Sequence, residues 1–95
     1  MKIPKKIKVA GRTFDLEYKK DFAGKDGLAG QAKDCEQKIV LQNDFYHQEK
    51  VEQTFWHEII HELDINYLNS KLTEDQVDAL STGLYAFLKD NKLIK

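Results

Sequence analysis

Two histidines separated by three residues offer the clearest chemistry in this 95-residue sequence. His57 and His61 stand four positions apart in His57-Glu58-Ile59-Ile60-His61, a spacing that places both imidazoles on one helix face, one turn apart. Zinc binds imidazole nitrogens at about 2.0–2.1 Å, and a catalytic zinc site uses three protein ligands with a fourth position left for water. The segment therefore predicts a zinc site on a helix.

Glu58 follows His57 directly, about 100° further around the helix, beside the ligand face but not on it. Zinc lowers the pKa of a bound water towards ~7, and a carboxylate at this place can accept the proton as the water attacks a carbonyl. Glu58 is therefore the predicted general base. A chance match would leave two unpaired imidazoles on an apolar helix, which is unfavourable. His47, the third histidine, is interpreted as an exposed loop residue.

Three acidic residues are candidates for the third ligand. Glu74 is favoured because it has the longer reach and lies nearer the core-facing side of a second helix, while Asp78 is one turn further on. Asp64 lies about 10 Å along the helix axis from His57. It is interpreted as an acceptor that orients an imidazole or as a helix-end partner that closes a turn, with a role as ligand as the alternative. Tyr67 and Tyr85 are both candidate oxyanion stabilisers. Tyr85 is the better candidate, because it shares a side of its helix with Glu74 and Asp78.

The composition indicates one small soluble domain over residues 1–95. The chain is 41% apolar and 33% charged with a net charge of −1, and no basic stripe indicates a nucleic-acid partner. No apolar run approaches the ~20 residues needed to span a bilayer. The single cysteine, Cys35, cannot form an internal disulfide, which favours a cytoplasmic location. Nothing in the sequence requires more than a monomer.

The first half of the chain has the alternating pattern of strands. The sequence predicts a hairpin of residues 7–9 and 13–18 across Ala10-Gly11, and two further strands at residues 28–32 and 38–41. Gly24, Gly27 and Gly30 mark loop and strand starts between the two pairs.

The second half has helical periodicity. Asn43-Asp44 is a helix start signal, and residues 48–68 form a helix that is apolar over most of its circumference, as expected in the middle of a domain. Thr73 and Gln76 fit a capping box at the start of a second helix. Its predicted core face is Val77, Leu80, Leu84, Phe87 and Leu88. The predicted fold is α+β, with a small, mostly antiparallel sheet of about four strands followed by two helices.

The segment from Thr54 to Leu63, which contains His57-Glu58-Ile59-Ile60-His61, resembles the active-site helix of zincin metallopeptidases. Over residues 27–91, the layout of small sheet, helix and second acidic helix is similar to the ImmA/IrrE-like minimal metalloproteases, a type common in phages and mobile elements. The resemblance implies a single zincin-like domain that hydrolyses peptide bonds of a protein or peptide substrate. It also implies that the strand at residues 28–32 pairs with an extended peptide. The chain departs from the pattern at Glu62, a charged residue, and at Gln76-Val77-Asp78, where the family has Glu-Ala-Asn.

Two functional hypotheses follow. The first is a zinc-dependent metallopeptidase with Glu58 as general base. The second is a non-catalytic zincin-like module, in which zinc stabilises a small core and the surface binds a partner protein. An intact Glu58 favours the first, because a structural zinc site has no use for a carboxylate at the water position.

Overall fold

The computed structural model describes residues 1–20, 29–43 and 47–94, and these residues form four strands and two helices. The strands are β1 (Lys6–Val9), β2 (Arg12–Lys19), β3 (Gly30–Lys33) and β4 (Lys38–Gln42), and the helices are α1 (Gln48–Tyr67) and α2 (Glu74–Asp90). The predicted α+β class, with a mostly antiparallel sheet followed by two helices, is confirmed. The predictions for Gly24, Gly27, Leu28 and Asp44 fall outside the described residues.

The four strands form one sheet in the order β1-β2-β4-β3. β1 and β2 form a hairpin whose turn residues Ala10 and Gly11 both have positive φ, 52° and 77°, as in the primed turns that match the twist of a sheet. β3 and β4 also pair antiparallel, whereas β2 and β4 pair parallel at the centre. This order leaves β3 at the edge of the sheet, where it contacts α1.

Helix α1 covers the sheet and closes the apolar core. The core residues are Val9, Phe14, Ile39, Leu41, Val51 and Phe55. The prediction that α1 is buried nearly all round is wrong in part, because Leu63 and Tyr67 are 38% and 64% exposed. The helix instead buries Glu52, Glu58 and Glu62. One sheet and one neighbouring helix cannot cover the whole circumference of α1, so some apolar side chains remain in solvent.

Helix α2 begins with the predicted capping box. The Thr73 hydroxyl accepts from the Gln76 N–H at 3.1 Å, and the Gln76 side-chain oxygen accepts from the Thr73 N–H at 2.8 Å. The side chains that α2 buries are Val77, Ser81 and Tyr85. The predicted core face is wrong at Leu80 and Phe87, which are 51% and 57% exposed, because α2 packs mainly on one helix and buries only a narrow stripe. Neither α1 nor α2, the two helices of the described residues, is long and apolar enough to cross a membrane.

Gly30 is a point of close contact between β3 and α1. A Cβ at this position would lie 2.7 Å from Thr54 Cγ2 and 3.0 Å from the Val40 carbonyl oxygen. We therefore expect Gly30→Ala to lower the free energy of unfolding by about 1–3 kcal/mol, measured by urea denaturation. Adding Thr54→Ser, which removes the clashing methyl, should recover part of the loss. Gly83→Ala is the control, since a Cβ there meets nothing within 4 Å, and an equal loss in both variants would contradict the prediction.

Candidate metal centre

His57 and His61 lie side by side on the flank of α1 that faces α2. Their ring centroids are 4.9 Å apart and the ring planes are inclined by 68°. The side chains are half-buried, at 17% and 29% exposure, so both rings are held by their surroundings and remain accessible. The helical spacing therefore produces the juxtaposition that the sequence predicts.

Glu74, the first residue of α2, faces both histidines. Its Oε1 lies 2.7 Å from His57 Nε2, and its Oε2 lies 3.1 Å from His61 Nε2. The capping box at Thr73 fixes where α2 begins, and thus places this carboxylate opposite the middle of α1. Of the three acidic candidates for the third ligand, Glu74 is the one that the structure brings to both imidazoles.

The three side chains are suited to zinc. One potential ligand atom from each of His57, His61 and Glu74 lies within 4.8 Å of the other two. Ligand atoms around a tetrahedral zinc with bonds of about 2.0–2.1 Å are roughly 3.3 Å apart, so small side-chain adjustments would bring all three to one ion. Two imidazole nitrogens and one carboxylate oxygen are also a ligand set of catalytic zinc sites.

The other two acidic candidates have different surroundings. Asp78 Oδ1 lies 3.5 Å from His57 Nδ1, the ring nitrogen opposite the one that faces Glu74, so its position is that of an outer partner of the imidazole. Asp64 is buried, and its carboxylate accepts hydrogen bonds from the backbone N–H groups of Lys71 and Leu72. It therefore stabilises the connection between α1 and α2, as a helix-end partner does.

Glu58 is buried next to the histidines, with a relative exposure of 5%. Burial raises its pKa to about 7, and the nearby charge of Glu74 acts in the same direction. Two contacts oppose this rise and lower the pKa of Glu58: the charge of His57 and a hydrogen bond with the backbone of Ala32. Glu58 is thus a carboxyl group adjacent to the ligand cluster but outside it, with a pKa in the range that suits proton transfer near neutral pH.

A cleft of about 550 Å³ opens over these residues. One wall is the edge strand β3 with Ala29 before it, and the other wall is formed by α1 and the first turns of α2. His57, His61, Glu58, Glu74 and Asp78 all line the cleft. The acidic and imidazole groups thus meet in one concave site beside strand β3, and a concave site with convergent polar groups is a typical binding site.

Tyr85, the candidate oxyanion stabiliser, lies elsewhere. It is buried, and its hydroxyl donates a hydrogen bond to Glu52 Oε1 at 3.0 Å. Along α2 it lies about 10 Å beyond Asp78, and it does not line the cleft. Tyr85 faces α1, but it lies about two helical turns beyond Asp78. The structure therefore does not bring Tyr85 to the ligand cluster.

A buried charge cluster, which the sequence did not reveal, connects α1 with the sheet. Glu62 is fully buried, and the Arg12 guanidinium lies 3.7 Å from its Oε1 while also donating to Asp34 and Asn66. Within the described residues, neither Glu62 oxygen has a hydrogen-bond partner. Burial raises the pKa of Glu62 to about 7, the carboxyl group of Asp34 acts in the same direction, and Arg12 opposes it. The departure of Glu62 from the zincin pattern was the visible signal in the sequence, but the partners of Glu62 are distant in the chain.

We expect Arg12→Ala to lower the free energy of unfolding at pH 7 by about 1–3 kcal/mol. It removes the cation that opposes the raised pKa of buried Glu62, together with the hydrogen bonds to Asp34 and Asn66. Adding Glu62→Gln should recover part of this loss by removing the buried acidic group. Lys6→Ala is the control, since Lys6 pairs with Asp15 at the surface and such pairs contribute under about 1 kcal/mol. A loss from Arg12→Ala no larger than that of Lys6→Ala would show that Arg12 does not stabilise Glu62.

Comparison with known proteins does not identify a family for this chain. No family model matches it, and neither a curated protein nor a solved structure matches it. The functional assignment therefore depends on the geometry of the cluster and on the chemistry of its side chains.

Proposed function

We propose that this protein is a zinc-dependent peptidase, with His57, His61 and Glu74 as zinc ligands and Glu58 as general base. The observation that supports it most directly is the convergence of three ligand atoms from two helices within 4.8 Å, in a cleft. Glu58 adds a buried carboxyl group beside the ligands. The resemblance of this segment to the zincin active-site helix points to the same reaction.

Each residue of the site has a distinct part in the proposed hydrolysis. When bound, zinc would polarise the scissile carbonyl and lower the pKa of a water molecule. Asp78 holds the ring of His57 from the side opposite Glu74. The Glu58 carboxylate accepts a proton from the attacking water and returns it to the leaving amine as the peptide C–N bond breaks.

Strand β3 would align the substrate. Among the described residues it pairs with β4 on one side only, and residues 29–32 line the cleft beside the ligand cluster. An extended peptide that pairs with an open strand edge gains main-chain hydrogen bonds whatever its side chains. The proposed substrate is therefore a protein or peptide segment in extended conformation. With a single exposed cysteine and no internal disulfide, we propose that the protein acts in the cytoplasm.

The alternative is a zinc-binding module without catalysis. The small size of the domain favours it, because a metal ion can stabilise a core of this size. The two functions agree on the ligands and differ at Glu58, which a purely structural zinc site does not require. Loss of zinc would unfold the protein in the alternative, whereas in the peptidase it would primarily remove activity.

The test is removal and restoration of zinc. Purified protein should contain one zinc per chain and cleave members of a peptide library, detected by mass spectrometry. A chelator should abolish the cleavage, and added zinc should restore it. Zinc at about 1,000 times its Kd should also raise the free energy of unfolding by about 4 kcal/mol.

Cys35→Ser is the control for adventitious zinc binding, since Cys35 is an exposed free thiol outside the cluster. The variant should keep the zinc content, the stability gain and the cleavage of the wild type. A protein that neither retains zinc nor is stabilised by it would contradict both functions. Zinc binding without cleavage of any library peptide would favour the non-catalytic module.

A further inference from the structure

The face of α2 that points away from α1 has the composition of a packing surface. No charged residue occurs between Asp78 and Lys89. The outward face of α2 has five uncharged exposed residues in its middle, with Gln76 and Asp90 at its two ends. The five are Ala79, Leu80, Gly83, Ala86 and Phe87. Leu80 and Phe87 each expose more than half of their surface. A solvated helix face ordinarily carries charged side chains, so an uncharged face of this kind is typical of a site that binds another protein surface.

Gly83, at the centre of this face, is not required by the packing of the chain itself. A Cβ at this position would meet nothing within 4 Å. A glycine inside a helix costs roughly 0.5–1 kcal/mol relative to alanine, and it allows another backbone to approach closely. Since no contact within the described residues explains this glycine, close approach of a second helix is the physical reason that fits.

We propose that the outward face of α2 docks on the same face of a second copy of this chain, with the two α2 helices antiparallel and crossing near Gly83. In this arrangement, each residue of one α2 faces a residue of the other α2 that is the same number of positions from Gly83, in the opposite direction along the sequence. Phe87 of one copy would lie over Ala79 of the other, and Leu80 would lie over Ala86. Large side chains thus face small ones throughout, which is the complementarity that helix packing and a two-fold interface both require.

The polar residues at the two ends of the outward face favour this occupant and this orientation. Gln76 and Asp90, both exposed, lie seven residues before and after Gly83, so they stand on the same side of the helix as Gly83. An antiparallel pair places the Gln76 amide of one copy opposite the Asp90 carboxylate of the other, whereas a parallel pair would bring the two Asp90 carboxylates together. Since each α2 has both ends, the surface is complementary to itself.

The proposed interface lies on the side of α2 opposite the metal centre, and the inference does not depend on the proposed function. Val77, Ser81 and Tyr85 face α1, so the outward face is left free on the far side. Docking of a second copy therefore leaves the cleft open. The proposed association replaces the expectation of a monomer with that of a dimer. The expectation of a monomer came from the sequence alone, which does not show which face of α2 is exposed.

Sedimentation equilibrium of the full chain over a wide range of protein concentrations tests the proposal. The weight-average mass should rise from 11.1 kDa towards twice that value as concentration increases. Leu80→Lys and Phe87→Lys should each weaken the association by about tenfold or more, because each buries a charge at the centre of the interface. Leu68→Lys adds the same charge at an exposed apolar residue outside α2, and should associate like the wild type.

Gly83→Gln and a charge exchange test the arrangement of the pair. Gln favours helix more than Gly does, so Gly83→Gln should raise the unfolding temperature of the monomer while weakening association by about tenfold or more. Gln76→Glu should weaken association, because it places a carboxylate opposite Asp90 of the second copy, and adding Asp90→Lys should restore it. A wild type that remains at 11.1 kDa at every concentration, or a Phe87→Lys variant that associates as tightly as the wild type, would overturn the proposal.

Discussion

Replacing Glu58 with glutamine should slow peptide hydrolysis by about 10²- to 10⁴-fold, which is the usual contribution of a positioned general base. Glutamine keeps the shape of the side chain but cannot accept the proton of the attacking water. Glu58 is outside the ligand cluster, so the variant should bind zinc with the stoichiometry of the wild type. Initial rates of peptide cleavage, measured beside zinc content by atomic absorption, separate the loss of the base from a loss of metal.

The matched control for Glu58→Gln is Glu49→Gln, the same chemical change on the same helix. Glu49 is exposed and pairs with Lys89 near the start of α1, about 12 Å along the helix axis from His57. Its replacement should leave the rate of cleavage unchanged. If Glu58→Gln retains the full rate with zinc bound, the assignment of Glu58 as base is wrong. The non-catalytic module would then be the better description of the site.

Glu74→Ala should weaken zinc binding by more than about 10²-fold, because it removes a carboxylate that faces both imidazoles. Asp78→Ala should have the smaller effect of an outer partner, about 10- to 100-fold, since Asp78 reaches one ring nitrogen of His57 at 3.5 Å. Competition with a chromophoric chelator at fixed pH measures both affinities. The difference between the two variants distinguishes a ligand from the residue that orients a ligand.

Asp75→Ala is the control for the helix terminus. Asp75 and Glu74 both lie in the acidic first turn of α2, where either carboxylate contributes about 0.3–1 kcal/mol to the helix. Asp75 is not part of the ligand cluster, so its replacement should reproduce the effect on helix stability without changing the zinc affinity. A larger loss of affinity in Asp78→Ala than in Glu74→Ala would reverse the assignment of the two residues.

The sequence predicted the secondary structure well because the signals are local. The hairpin turn at Ala10-Gly11 and the capping box at Thr73 are each set by residues within a few positions of one another. The parallel pairing of β2 with β4 was not predicted from the sequence. The packing of the whole sheet determines which distant strands pair, so no short segment of the sequence predicts that pairing.

Which side chains are buried depends more on the tertiary packing than on the apolar pattern of the sequence. Leu80 and Phe87 have the periodicity of a core face but remain exposed, while Glu62 is fully buried. Which residues of a helix become buried depends on how many neighbours the fold places around it, and a two-helix layer offers few. Glu62 is tolerated inside because Arg12 reaches it from β2, a contact between residues far apart in the sequence.

For the candidate site, the sequence by itself determined the pair His57 and His61 with Glu58 beside them, because the helical repeat fixes those positions within two turns. Only the tertiary structure decided which acidic side chain joins them. The antiparallel packing of α2 on α1 brings Glu74 to both imidazoles, leaves Asp78 behind His57, and directs Asp64 to the connection between the helices. That choice depends on the register of two helices against each other, which is set by side-chain packing and helix capping rather than by spacing along one chain segment.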